Sequence, residues 1–189
     1  MSDTHAKTAL LVMDVQVGIV SRFAQADDIL TPISAAIAAA RTATIPVIYV
    51  HVAFREGYPE INPQNKSFGA IKQQAPQSAL MMGSEIHPAI APQSTEVLVT
   101  KRRVSAFSGS DLEVVLRSQD ISHLVLCGIA TSGVVLSTLR EAADKDYQLT
   151  VLSDCCFDAD EEVQRVLLTK VFPRQADVIP TEEWKTRLV

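Results

Sequence analysis

The stretch "LVLCGIATSGVVLSTLREAADKDYQLTVLSD", residues 124–154, reads as a strand, a tight turn, a helix and a second strand. The run from Leu124 to Ile129 is apolar without a break, as is much of "QLTVLSD" at 148–154. Continuous rather than alternating apolar runs suit strands buried on both faces. A strand–helix–strand unit of this kind joins two parallel strands through a crossover helix.

The same reading extends outward. "ALLVMD" (9–14), "PVIYVHV" (46–52), "EVLVT" (96–100) and "ADVIP" (176–180) add four strands, and "HLVLCGI" (123–129) marks the strand before the turn. Helix starts lie between them. Thr31-Pro32 places a cap before a proline. Ser110 and Glu113 have capping-box spacing. Asp160, Glu161 and Glu162 put negative charge where a helix dipole favours it. Thr181 opens a short final helix. Residues 53–92, rich in Pro, Gly and Asn, form a long excursion with one or two short helices, of the kind that shapes a pocket. No repeat or linker interrupts the chain, so residues 1–189 are expected to form one α/β domain.

Composition narrows the function classes. The chain has 189 residues, 47% hydrophobic and 21% charged, with a net charge of −5. Interspersed charges of that balance argue against a nucleic-acid partner. The apolar runs are too short to span a bilayer, and "MSDTHAK" has no secretion signature. Cys127, Cys155 and Cys156 cannot all pair, so reduced thiols and a cytoplasmic setting are expected.

Three positions carry candidate chemistry. Asp14 ends the first strand in "LLVMDVQ" (10–16), at the strand end where α/β proteins bind ligands, and an aspartate beside apolar neighbours needs a partner. Lys101, in "VTKRRVSAFSGSDLEVVLR" (99–117), is suited to lie beside Asp14 and keep it ionised, or to stabilise negative charge on a substrate. The bland alternative is a solvated basic run, Lys101-Arg102-Arg103, two of whose charges face water. The third is the turn itself. A helix opening near Ser132 offers N–H groups to an anion or polarised carbonyl. It matches neither a Walker loop, nor a dinucleotide fingerprint, nor G-x-S-x-G.

Together these three stretches resemble the isochorismatase-like hydrolases, which include nicotinamidases, carbamoyl-sarcosine amidohydrolases and isochorismatases. The likeness runs from about Ala9 to about Pro180. It implies a three-layer α/β/α, Rossmann-like fold with a six-stranded parallel sheet. It also implies a cis peptide at Ile129–Ala130, Asp14 and Lys101 as catalytic residues, and an oxyanion hole from the backbone N–H groups of Ala130 and Val134. Relatives are commonly oligomers, so a homo-oligomer is expected.

The departure from the family is Val134. In amidase members the elbow reads Ala-Thr-x-x-Cys-Val and its cysteine attacks, whereas here Val134 occupies that position. Cys155 and Cys156 are candidate surrogate thiols. Thr131 or Ser132 could attack only with a base beside it. Otherwise no covalent nucleophile is used, as in isochorismatases, where the aspartate acts as general acid on a vinyl ether. The Asp-x-His…His cluster of nicotinamidase-like relatives has no counterpart in "HVAFREGYPEINPQN" (51–65), so neither metal nor other cofactor is expected. Arg55 is suited to a substrate carboxylate, or is a surface arginine. Gln16 and Phe107 are candidate pocket walls, Phe107 reading more readily as simple packing. The resulting expectation is a hydrolase acting on a small molecule, neutral or anionic (vinyl ether, amide or ester), with Asp14 as general acid/base. The rival is a catalytically retired fold kept for ligand binding or assembly.

Overall fold

Six parallel strands form one sheet in the order β3-β2-β1-β4-β5-β6. They are β1 (Lys7–Met13), β2 (Val47–Val52), β3 (Val97–Lys101), β4 (Ile121–Ile129), β5 (Gln148–Phe157) and β6 (Asp177–Ile179). The computed structural model describes residues 7–23, 26–74 and 84–188.

The apolar runs are continuous because both faces of the sheet are covered. Leu11, Met13, Ile48, Val50 and Val99 face one layer, where they pack with Leu112 and Leu116 of α4 (Leu112–Ser118) and Leu139 and Ala142 of α5 (Leu136–Asp144). Leu10, Val12 and Tyr49 point the other way. There they meet Ile33, Ala36, Ile37 and Ala40 of α2 (Leu30–Thr42) and Trp184 of α7 (Thr181–Thr186). Neighbouring residues on one strand thus serve opposite cores. The remaining helices are α1 (Val17–Val20), α3 (Lys66–Gln74) and α6 (Glu161–Val166).

Helix starts follow local chemistry, with two departures from expectation. Asp160 caps α6 by accepting the N–H groups of Glu162 (2.9 Å) and Val163 (3.0 Å). Thr31 does not cap α2. A 3₁₀ turn at Ala26–Ile29, with Asp27 and Asp28 in it, runs directly into Leu30. Pro32 then falls in the first turn, where its missing N–H costs nothing. The capping box at Ser110 is half made. Ser110 Oγ accepts the Leu112 N–H at 3.2 Å, but the Glu113 carboxylate is taken by Lys145 at 2.6 Å.

After β2 the chain builds a satellite cluster of Tyr58, Ile61 and Phe68, with Val52 and Phe54 packed against it. This part of the excursion carries α3, and a 3₁₀ turn follows at Pro88–Ile90. Residues 75–83, which belong to the same expected pocket wall, lie outside the described residues.

One glycine sets how closely the two central strands approach. Gly128, near the end of β4, has φ 143°, and a Cβ there would stand 2.0 Å from the Met13 carbonyl oxygen. The ends of β1 and β4 are therefore in backbone contact, so Asp14 and the turn after β4 emerge side by side.

Candidate active site

Strand order reverses between β1 and β4, and in open α/β sheets the crevice at such a point takes the ligand. Asp14 is the first residue beyond β1. It adopts φ 57°, a left-handed conformation that aspartate tolerates, and its N–H is fixed by the Val50 carbonyl at 2.8 Å. Lys101 ends β3, two strands away, and its long side chain spans the end of β2.

The two side chains meet. Lys101 Nζ lies 2.9 Å from Asp14 Oδ2, with the side chains 2% and 8% exposed. Lys101 is not part of a solvated run. Its ammonium also donates to the carbonyls of Arg103 (2.9 Å) and Val104 (3.1 Å), which uses all three of its protons. Arg102 and Arg103 are half-buried and tied to Glu60 rather than facing water.

Asp14 is less completely satisfied. Its Oδ1 is buried and, among the described residues, has no hydrogen-bond partner. Burial pushes the carboxyl up to about 6, against the opposing pull of Lys101. An unpaired buried acceptor costs about 1–3 kcal/mol, so Oδ1 is poised to take a ligand's donor or a proton of its own.

The turn after β4 is built as the resemblance implied in one respect: the Ile129–Ala130 peptide is cis. Thr131–Val135 then form a single π turn. The N–H groups of Gly133 (3.0 Å) and Val135 (3.3 Å) converge on the Ala130 carbonyl. Asp158, beyond β5, accepts the Ser132 N–H at 2.7 Å. Nothing in the sequence pointed to Asp158, because the contact joins two loops at neighbouring strand ends. Val134 is 2% exposed and belongs to the core cluster on the α4–α5 side. Thr131 is fully buried, and among the described residues its hydroxyl has no hydrogen-bond partner that could act as a base. His51 is engaged elsewhere, by the Ser84 carbonyl and the Thr100 hydroxyl.

The surrogate-thiol alternative finds no support in the geometry. All three cysteines are buried. Cys127 Sγ donates to the Leu11 carbonyl, and Cys155 pairs with the Thr181 hydroxyl. Burial raises all three thiols, Cys156 to about 12. Thiols held protonated in the core are poor nucleophiles.

Two candidate walls have other duties. Gln16 is 2% exposed and its amide is spent on backbone: Nε2 donates to Val52 O (3.1 Å) and Ser84 O (3.0 Å), while Oε1 accepts the Val52 N–H (2.9 Å). It pins residues 84–87 beside β1, where Gln16 and Ile86 also form an antiparallel bridge. Phe107 lies in the core, 6.0 Å from the Tyr147 ring and under Lys145. Tyr147 precedes β5, at the end of the strands opposite Asp14, and Phe107 packs against it there. Arg55 is placed in an ion pair with Glu60, 2.7 Å away. Among the described residues, no group of three or more His, Cys, Asp or Glu could hold a metal, and no helix is long and apolar enough to cross a membrane.

With this geometry in place, comparison with known proteins is specific. The isochorismatase domain model matches residues 8–183. The isochorismatase family protein YwoC of Bacillus subtilis is 33% identical over 178 residues, covering 94% of this chain and 92% of that protein. The ureidoacrylate amidohydrolase RutB of Stutzerimonas stutzeri is 32% identical over 179 residues, covering 83% and 72%. Among solved structures, an isochorismatase family protein from Burkholderia thailandensis is 31% identical, with a TM-score of 0.84 over 96% of this chain and 95% of that one.

Proposed function

The chain belongs to the isochorismatase family of hydrolases, and from that premise we propose that it hydrolyses a small molecule without any covalent enzyme nucleophile. The observation that carries this reading is Asp14. It is a buried carboxyl lifted to about 6, held on one oxygen by Lys101 and open on the other. A carboxyl raised in this way keeps its proton closer to neutrality than a free aspartate does. That direction of shift suits a general acid working near neutrality.

In the proposed reaction the Asp14 carboxyl gives its proton to the leaving atom, or to the enol carbon of a vinyl ether. Water attacks the activated centre, and the Asp14 carboxylate takes the proton that the water releases. Lys101 keeps that carboxylate oriented. The backbone N–H groups of Ala130 and Val134 hold negative charge developing on a carbonyl oxygen. Val134 supplies an apolar surface in place of an attacking thiol. The ureidoacrylate amidohydrolase among the relatives favours a substrate with a C–N bond to cleave. The assembly we expect is a homo-oligomer, checked by sedimentation.

Val134 also favours a second reading, a fold that retains its pocket but no longer turns anything over. A panel of small amides, ureido acids, esters and vinyl ethers separates the two. Turnover that disappears in Asp14→Asn supports the hydrolase. Ligand binding with no turnover of any panel member supports the retired fold.

A further inference from the structure

The crevice continues past the turn to the end of β5, where one carboxylate has no counter-charge. Met13 pairs with Gly128, and Gly128 with Cys156, so β1, β4 and β5 end nearly level. Asp14 lies one residue beyond this line and Asp158 two. Adjacent strands are spaced about 4.8 Å apart, so the two carboxylates stand on the order of 10 Å from each other, with the turn between them. A small molecule lying over the turn with one end at Asp14 reaches toward Asp158 with the other. The Phe157 ring, 5.6 Å from that of Phe23, anchors the chain just before Asp158.

Among the described residues Asp158 bonds main chain alone. Its Oδ2 accepts the Ser132 N–H at 2.7 Å, and its Oδ1 accepts the Asp160 N–H at 3.5 Å, a weak contact. It makes no ion pair with any described residue. Asp158 is half-buried, and the exposed acids Asp160, Glu161 and Glu162 follow it on the same segment. Lys101, the cation beside Asp14, has no proton left to give. An anionic group arriving at this end of the crevice meets fixed negative charge, and the Ser132 N–H that could have received it is already taken. An amide, ureido or ammonium group instead finds an acceptor in Asp158 Oδ1.

We propose that Asp158 is a specificity-determining residue, which turns away anionic groups at the β5 end of the crevice and selects a substrate whose end there is an uncharged or cationic hydrogen-bond donor. The location of the crevice rests on the hydrolase reading above, but the test does not depend on turnover. Succinamide and succinamate have the same length and differ by one charge. Each is titrated by calorimetry into wild type, Asp158→Asn, Asp158→Ser and Asp160→Asn, with thermal melting to confirm folding. Wild type should bind succinamide about tenfold more tightly than succinamate, or better. That ratio should fall below about threefold in Asp158→Asn and Asp158→Ser, both of which keep an acceptor for the Ser132 N–H. It should hold in Asp160→Asn, which removes the same charge two residues away. A role confined to holding the turn would weaken both ligands alike and leave the ratio unchanged. No binding of succinamide to wild type, a wild-type ratio near unity, a ratio unaltered in both Asp158 variants, or an equal fall in Asp160→Asn overturns the proposal. If the ratio behaves as expected while no panel substrate is turned over, the selection by Asp158 stands and the hydrolase reading fails.

Discussion

Lys101 and Asp14 form a buried pair in which the cation is saturated and the anion is not. The ammonium donates to one carboxylate oxygen and two carbonyls, while Asp14 Oδ1 has no partner among the described residues. Removing the cation should therefore cost more than removing the anion's charge. In Lys101→Met, Asp14 keeps a buried charge and two carbonyls lose their donor. Urea unfolding should show a loss of about 3–5 kcal/mol. Asp14→Asn, which keeps the shape and tolerates the left-handed backbone, should fold with a far smaller loss yet show no turnover.

Acidity gives a second expectation, with its sign fixed by the direction of the shift. The Asp14 carboxyl is raised from 3.8 to about 6 by burial, Lys101 only partly opposing it. A group that holds its proton more tightly when folded stabilises the fold below its unfolded value and loses that contribution as pH rises through the folded one. Wild type should thus lose stability relative to Asp14→Asn between about pH 4 and 6, read from urea midpoints. In the proposed mechanism Asp14 donates a proton, so kcat/KM should fall as pH rises through the same folded value.

Thiol chemistry tests the elbow position. The three native cysteines are buried and their thiols raised, so iodoacetamide should label native protein slowly and leave turnover intact. Val134→Cys places a sulfur at the start of a helix, where the dipole favours a thiolate. This variant should be labelled faster than wild type, as mass spectrometry of the intact chain would show.

Backbone contact between the central strands predicts a contrast between two glycines. Gly128→Ala drives a methyl group to 2.0 Å from the Met13 carbonyl oxygen, so soluble folded protein should be lost. Gly57 also has a positive φ, 75°, but a Cβ there meets nothing within 4 Å. Gly57→Ala should cost only about 1–2 kcal/mol in urea unfolding, the price of the left-handed backbone.

Gln16→Ala should loosen residues 84–87 while leaving the sheet folded. Three hydrogen bonds to Val52 and Ser84 disappear, at about 1–3 kcal/mol for each buried group left unpaired. Hydrogen exchange should accelerate at Val17 and His87, whose N–H groups bond across this contact.

Much of the fold was legible because strands buried on both faces leave an unambiguous mark: runs such as Leu10–Met13 and Leu124–Ile129 have no other comfortable setting. The Asp14–Lys101 pair was legible from strand ends and from the family likeness. Roles that depend on where a long side chain turns were not. Gln16 follows the site aspartate by two residues, yet its amide bonds backwards to main chain. Phe107 lies six residues beyond Lys101, yet the intervening loop carries it into the core toward Tyr147. The arginines after Lys101 read as solvated because Glu60, their partner, is more than 40 residues away in sequence.

The sheet order has a consequence for synthesis on the ribosome. The first strand made, β1, is an interior one, and its second neighbour, β4, begins only at Ile121. Until then one side of β1 has no hydrogen-bonding mate, and Asp14 stands beside an unfinished wall. Truncated products ending before that point should be sticky and inert, and quality control would meet them as exposed apolar ribbon.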